Sequence, residues 1–154
     1  MRTKRYQDRV FLAWKNICRT FAGLGFPLRE NERRLASLRN IEAGKRVFIL
    51  GNGPSLNHTD VDKLCDEISI ASNAILLLFD KKKFRPTYYT IEDYLVAEDR
   101  RLEAAALKAL WKIFPSDVRK FIPPDEHTIY VNFIRAYRGF PRLTDNFQRH
   151  VFWG

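Results

Sequence analysis

The sequence predicts an α/β chain built on a parallel sheet of about five strands, and three observations carry that prediction. Short apolar runs at 47–50, 68–71, 87–91, 111–114 and 128–133 begin at intervals of roughly 20 residues, with helical or turn-forming sequence between them. The first of these runs lacks polar alternation, as a parallel strand covered on both faces does. It leads at once into the glycine turn Gly51-Asn52-Gly53-Pro54-Ser55. Together these features predict an incomplete Rossmann-like parallel sheet with helices on both faces, preceded by two N-terminal helices.

In chain order, Tyr6, Val10, Trp14, Ile17, Phe21 and Leu24 recur at spacings of three and four and form one helical stripe, flanked by Arg5, Arg9, Lys15 and Arg19. Two readings fit the stripe. One is a peripheral membrane contact through residues 5–24, with Trp14 and Phe21 in the headgroup region and the cations on anionic lipid. The other is a helix packed on the domain or on a partner subunit. Gly23, Gly25 and Pro27 end this helix, 28–38 forms a second, and Gly44 separates it from the first strand. The expected division is a basic helical arm at 1–44 and a nucleotide-binding domain at 45–154.

Beyond the glycine turn, Thr59 and Asp62 read as a capping box for a short helix over 60–64. Ser72 and Asn73 end the second strand. An apolar helix over 74–79 stops at Asp80-Lys81-Lys82-Lys83, and the third strand ends in Glu92-Asp93. A long alanine-rich helix is expected over 94–110, a short one from Pro115, and a turn at Pro123-Pro124-Asp125 before the fifth strand. From 134 onward Arg135, Arg138, Arg142 and Arg149 alternate with aromatic residues, the pattern of a loop with buried rings or of a phosphate and base grip.

The chain has 154 residues, 45% of them hydrophobic, enough for one domain with a real core. Its net charge of +9 is uneven. Residues 1–46 carry twelve Lys/Arg against four Asp/Glu, a net +8, and 47–154 carry fifteen against fourteen, a net +1. The main domain is therefore close to neutral, which with the absence of a nucleic-acid motif argues against a dedicated nucleic-acid-binding protein. No apolar run reaches the length of a membrane span and no signal peptide is evident, so a cytoplasmic location is expected. Cys18 and Cys65 form no C-x-x-C or Cys/His cluster and read as two buried reduced thiols without a metal.

The candidate site residues gather at predicted strand ends. Gly51 and Gly53 can take positive φ and let a ligand approach, and Pro54 donates no amide. The amides of Gly53, Ser55 and Leu56 and the Ser55 hydroxyl are then the donors for a phosphate. The third glycine of the dinucleotide fingerprint and the Gly-Lys-Ser/Thr of a P-loop are both missing. Asn73 stands where a dinucleotide-binding domain commonly has an acidic residue, and its carboxamide can read a base edge, hold a ribose or cap a helix. Glu92 and Asp93 fit substrate contact, a helix cap, acid/base work or a metal. His58, His127 and His150 have no evident catalytic partner.

A strand ending in Gly51-Asn52-Gly53-Pro54-Ser55-Leu56, with Ile70-Ala71-Ser72-Asn73-Ala74-Ile75 and Arg85-Pro86-Thr87-Tyr88-Tyr89-Thr90-Ile91-Glu92-Asp93, resembles the bacterial sialyltransferases of glycosyltransferase family 42. It also resembles the broader group containing the archaeal 6-hydroxymethylpterin pyrophosphokinases. The resemblance runs from about Leu38 to the last residue. It implies a transferase using a CMP-sugar type donor, without a permanently bound cofactor or metal, in bacterial surface-polysaccharide synthesis. Asn52, Gly53, Ser55 and Asn73 are implied as nucleotide contacts. The family continues past a segment like Val151-Phe152-Trp153-Gly154 into the half that supplies its general base. The resemblance therefore implies a truncated or split form with no catalytic residue assigned, its other half supplied by a partner chain. The alternatives are a pterin diphosphokinase using ATP and Mg²⁺ through Glu92 and Asp93, and a non-catalytic remnant.

Overall fold

A computed structural model of the chain describes residues 2–134, 146 and 151–152. The chain divides into two compact units, 42–130 on the one hand and 1–41 with 131–154 on the other. The described residues 131–134, 146 and 151–152 thus fall in the unit of the N-terminal helices.

The larger unit carries the expected α/β architecture. Strands β1 (Phe48–Leu50), β2 (Ser69–Ser72), β3 (Tyr88–Thr90), β4 (Trp111–Pro115) and β5 (Thr128–Val131, which ends one residue beyond the division) form a five-stranded parallel sheet in sequential order. Phe48, Ile49 and Leu50 align with Ser69, Ile70 and Ala71, and Ile70 and Ala71 with Tyr88 and Tyr89. Tyr89 continues to Lys112. Because side chains alternate along a strand, Leu50, Ala71, Tyr89 and Lys112 form one row on one face. Leu50, Ala71, Tyr89, Ile91 and Phe114 belong to a single core cluster with Val61, Ile75, Phe84, Ala97, Ala104, Val118 and Ile122 from the connecting segments. The rings of Tyr89 and Phe114 meet edge to face, centroids 5.9 Å apart.

Several connections differ from the sequence reading. The segments Val61–Leu64, Asn73–Leu78 and Ser116–Lys120 are 3₁₀ turns where helices were expected, and the expected turn after β1 runs on as a 3₁₀ turn over Pro54–His58. The capping box does not form. Asp62 accepts from the Phe84 amide (2.9 Å) and Thr59 donates to the Ser55 carbonyl (3.1 Å), so both serve tertiary or turn contacts. The long helix over 94–110 is two, α1 of this unit (Tyr94–Asp99) and α2 (Arg101–Ala106), broken at Arg100 (φ −104°, ψ 25°), which pairs with Asp99 and Glu103. Strand β1 is covered on one face only, since Ile49 is 82% exposed. Cys65 is exposed, at the end of a 3₁₀ turn, while Cys18 is buried.

At the start of β4 the core holds a cation. Lys112, 2% exposed in its side chain, donates to the Ala105 carbonyl (2.9 Å) and pairs with Asp125. The other oxygen of Asp125 accepts from the His127 amide (3.0 Å) and the Thr128 hydroxyl (2.5 Å). Burial pushes the Asp125 carboxyl up, but the hydrogen bonds from Lys112 and Thr128 outweigh it and hold the pKa below the ordinary value of 3.8. On the opposite face, Glu42 accepts from the Tyr88 hydroxyl (2.7 Å), which with Lys45 lowers its pKa too.

In the smaller unit, αA (Arg2–Gly23) is followed by αB (Glu30–Ser37), and β6 (Phe133–Ile134) pairs in parallel with β7 (Val151–Phe152). Glu32, 3% exposed, accepts from the Arg29 backbone amide (3.2 Å) and from its guanidinium (2.9 Å). Asn146 donates to the Gly23 carbonyl at the end of αA (3.0 Å).

Asp125→Asn keeps the acceptor for His127 and Thr128 but turns an amide toward the buried ammonium. We expect it to cost roughly 1–3 kcal/mol, below the full cost of breaking a buried pair because Asp125 is partly solvated. Lys112→Met, which removes the charge at similar volume, should cost less. With a depressed folded pKa, the Asp125 contribution is present above about pH 4 and lost as pH falls through the folded value. Urea unfolding between pH 3 and 7 should show a flatter acid limb for Asp125→Asn; equal limbs would remove the pair from the account.

Candidate functional site

The C-terminal ends of β1, β2 and β3 lie side by side, and the sequence-predicted residues Gly51, Asn52, Gly53, Ser55, Asn73, Glu92 and Asp93 follow them in the chain. Open parallel sheets bind ligands at this edge. The sequential strand order contains no reversal, so the edge and not a switch point inside the sheet defines the site.

Gly51 and Gly53 do not use the positive φ open to glycine: Gly53 has φ −68° and ψ 155°, and among the described residues only Gly25 and Gly44 are glycines of positive φ. Nor does packing demand them. A Cβ on Gly51 would meet nothing within 4 Å, and one on Gly53 only the Ser55 Oγ at 3.7 Å. What a side chain at either position would fill is open space beside the turn. Of the expected donors, Leu56 N is taken by the Gly53 carbonyl (3.0 Å). The amides of Gly53 and Ser55 and the Ser55 hydroxyl have no acceptor among the described residues.

Asn52 reaches across to the next strand, its Nδ2 donating to the Ser72 hydroxyl at 3.4 Å. Asn73 then turns the chain with φ 47°, a left-handed conformation that asparagine tolerates better than most residues. Its Oδ1 accepts from the amides of Glu92 (3.0 Å) and Asp93 (3.3 Å), and its carbonyl from the Tyr89 hydroxyl (2.8 Å). Tyr89 is fully buried, and desolvation, helped by the nearby Glu103 charge, pushes its pKa far above 10. It remains a proton donor at any ordinary pH. Asn73 is thus a strut between β2 and β3, and its Nδ2, which has no acceptor among the described residues, is the group it can offer a ligand. Asp93 caps the helix Tyr94–Asp99 by accepting from Leu95 N at 2.8 Å, the cap reading of that residue. Ser72 and Tyr89 entered the sequence reading only as strand residues; nothing in their spacing signals their partners.

Other candidates lie elsewhere. His127, whose Nδ1 is 3.2 Å from the Leu110 carbonyl, precedes β5 and so lies at the opposite edge of the sheet. His58 ends the turn after β1. His150 and Arg135, Arg138, Arg142 and Arg149 lie outside the described residues. A shallow hollow over Leu95, Glu98, Asp99, Arg101 and Leu102 lies on the two short helices and not at the strand ends. Its leucines and surface charges do not match a phosphate donor set. Among the described residues, no three His, Cys, Asp or Glu group closely enough to hold a metal ion. Among the described residues no helix is long and apolar enough to cross a membrane.

In comparison with known proteins, no family model, no curated protein and no solved structure matches the chain.

The strut makes a stability prediction that does not depend on any ligand. Asn73→Ala leaves the Glu92 and Asp93 amides without their acceptor and puts alanine at positive φ. It should cost about 2–3 kcal/mol, and Asn73→Gly about 1 kcal/mol less, because glycine relieves the backbone term. Denaturant unfolding of both variants reads the difference, and equal losses would mean that the left-handed conformation carries no strain.

Proposed function

We propose that the edge formed by Gly51, Asn52, Gly53, Ser55 and Asn73 binds a nucleotide. On this reading the chain is the nucleotide-binding part of a sialyltransferase-like, nucleotide-sugar-dependent glycosyltransferase of the cytoplasm. The observation that carries it is the pair of glycines with no internal reason to be glycine, beside two unengaged amides and a hydroxyl. A phosphate approaching the backbone needs that open space, and the Gly53 and Ser55 groups are donors for it. Asn73 Nδ2, anchored by its own oxygen, is placed to meet an acceptor on ribose or base. The wording of the turn, similar to that of the family 42 sialyltransferases, points to a CMP-sugar as the donor substrate and surface polysaccharide as the product. No catalytic residue is assigned among the described ones, so turnover requires groups beyond them, from this chain or a partner chain.

Thermal unfolding of the chain with CMP, CDP, UDP, GDP and ATP, each with and without Mg²⁺, tests the proposal. A ligand at 100 times its Kd adds about 2.7 kcal/mol of stability, a rise of several degrees for a chain of this size. We expect metal-independent stabilisation by cytidine nucleotides. Gly53→Val should abolish it and leave the unliganded midpoint within about 2 °C, since its φ and surroundings accept a side chain. Stabilisation by Mg-ATP alone would replace this reading with the diphosphokinase one, and no shift with any nucleotide would end both.

A further inference from the structure

Helix αA buries small residues and leaves its large apolar ones exposed. The side that is buried holds the small residues Cys18 (fully buried) and Ala22, with Arg19 partly withdrawn from water. Desolvation lowers the Arg19 pKa, with Arg29 adding to the effect and Glu32 opposing it, which sets this side of αA near the start of αB. The large apolar residues run beside this strip, Trp14 one turn before Cys18, and stay exposed. Val10, Trp14, Ile17 and Phe21 follow one another at spacings of four, three and four, and are 52%, 54%, 46% and 45% exposed. Leu24 and Phe26, 69% and 65% exposed, continue the apolar surface past the helix end. An exposed apolar stripe of this extent marks a docking face.

Charge decides what the face fits. Residues 1–28 contain six Lys/Arg and a single acidic residue, Asp8, whereas 47–154 are nearly neutral. A second copy of the chain meets the face badly. In a two-fold pair the same patch faces itself, which brings two cationic helices together. A nucleic acid offers phosphates to the cations but nothing to cover the rings. An anionic bilayer surface satisfies both, with the apolar side in the headgroup boundary and the cations on lipid phosphates. We propose that αA and the turn to Phe26 form a membrane-docking surface selective for anionic phospholipid. The proposal does not depend on what the strand-end site binds.

Co-sedimentation of the full chain with phosphatidylcholine vesicles, with and without one-fifth phosphatidylglycerol, tests it. We expect binding at least tenfold tighter to the anionic vesicles, weakening as salt is raised from 50 to 500 mM through screening of the cationic contacts. Trp14→Glu combined with Phe21→Glu should abolish sedimentation while leaving the circular dichroism spectrum and unfolding midpoint unchanged, since both side chains are exposed. No preference for anionic vesicles, or binding unaltered in the double variant, would overturn the proposal. So would a lipid-free dimer in light scattering that the double variant dissociates, because the face would then be an interface between copies.

Discussion

The three hydrogen bonds made by Asn73 tie the ends of two strands to one residue. The Tyr89 hydroxyl, held in the core, donates to its carbonyl, and the amides at the end of β3 donate to its side chain. This arrangement requires a left-handed turn after β2, and asparagine is a residue that accepts it without a large penalty. Strain kept at a strand end beside an open, donor-rich turn is the kind of feature that clusters at binding sites. The same bonds fix the backbone at Glu92 and Asp93, from which the cap of the helix Tyr94–Asp99 follows. The geometry of the candidate edge depends on this residue more than on the glycines.

The two edges of the sheet are built differently. At the N-terminal edge, polar groups are satisfied internally: Lys112, Asp125, Thr128 and the His127 amide close on one another. At the C-terminal edge, Gly53 and Ser55 leave donors unused. A buried cation matched by a carboxylate is a structural solution, since removing either polar partner leaves the other exposed to a low dielectric. Unused donors on an exposed turn cost little in water and are available to a ligand.

The N-terminal helix follows a related logic. A helix that buries cysteine and alanine while exposing tryptophan, phenylalanine and isoleucine gains little from its own fold on its larger side. Its large apolar side chains stay about half exposed to solvent.

The parallel sheet was legible in the sequence because each strand is a short β-branched or aromatic run bounded by turn residues, and local pattern is what a strand in a buried sheet demands. The stripe on αA and the turn after β1 were legible for the same reason. Tertiary structure alone decided the rest. The exposure of Ile49 depends on β1 standing at the end of the strand order, which its apolar sequence does not encode. The diversion of Asp62 to the Phe84 amide depends on a neighbour 22 residues along the chain. Asn73 shows the division most plainly. Its residue type suggested a polar group at a strand end, but which of its atoms serve the fold and which remain for a ligand depends on the placement of Tyr89, Glu92 and Asp93, 16 to 20 residues away.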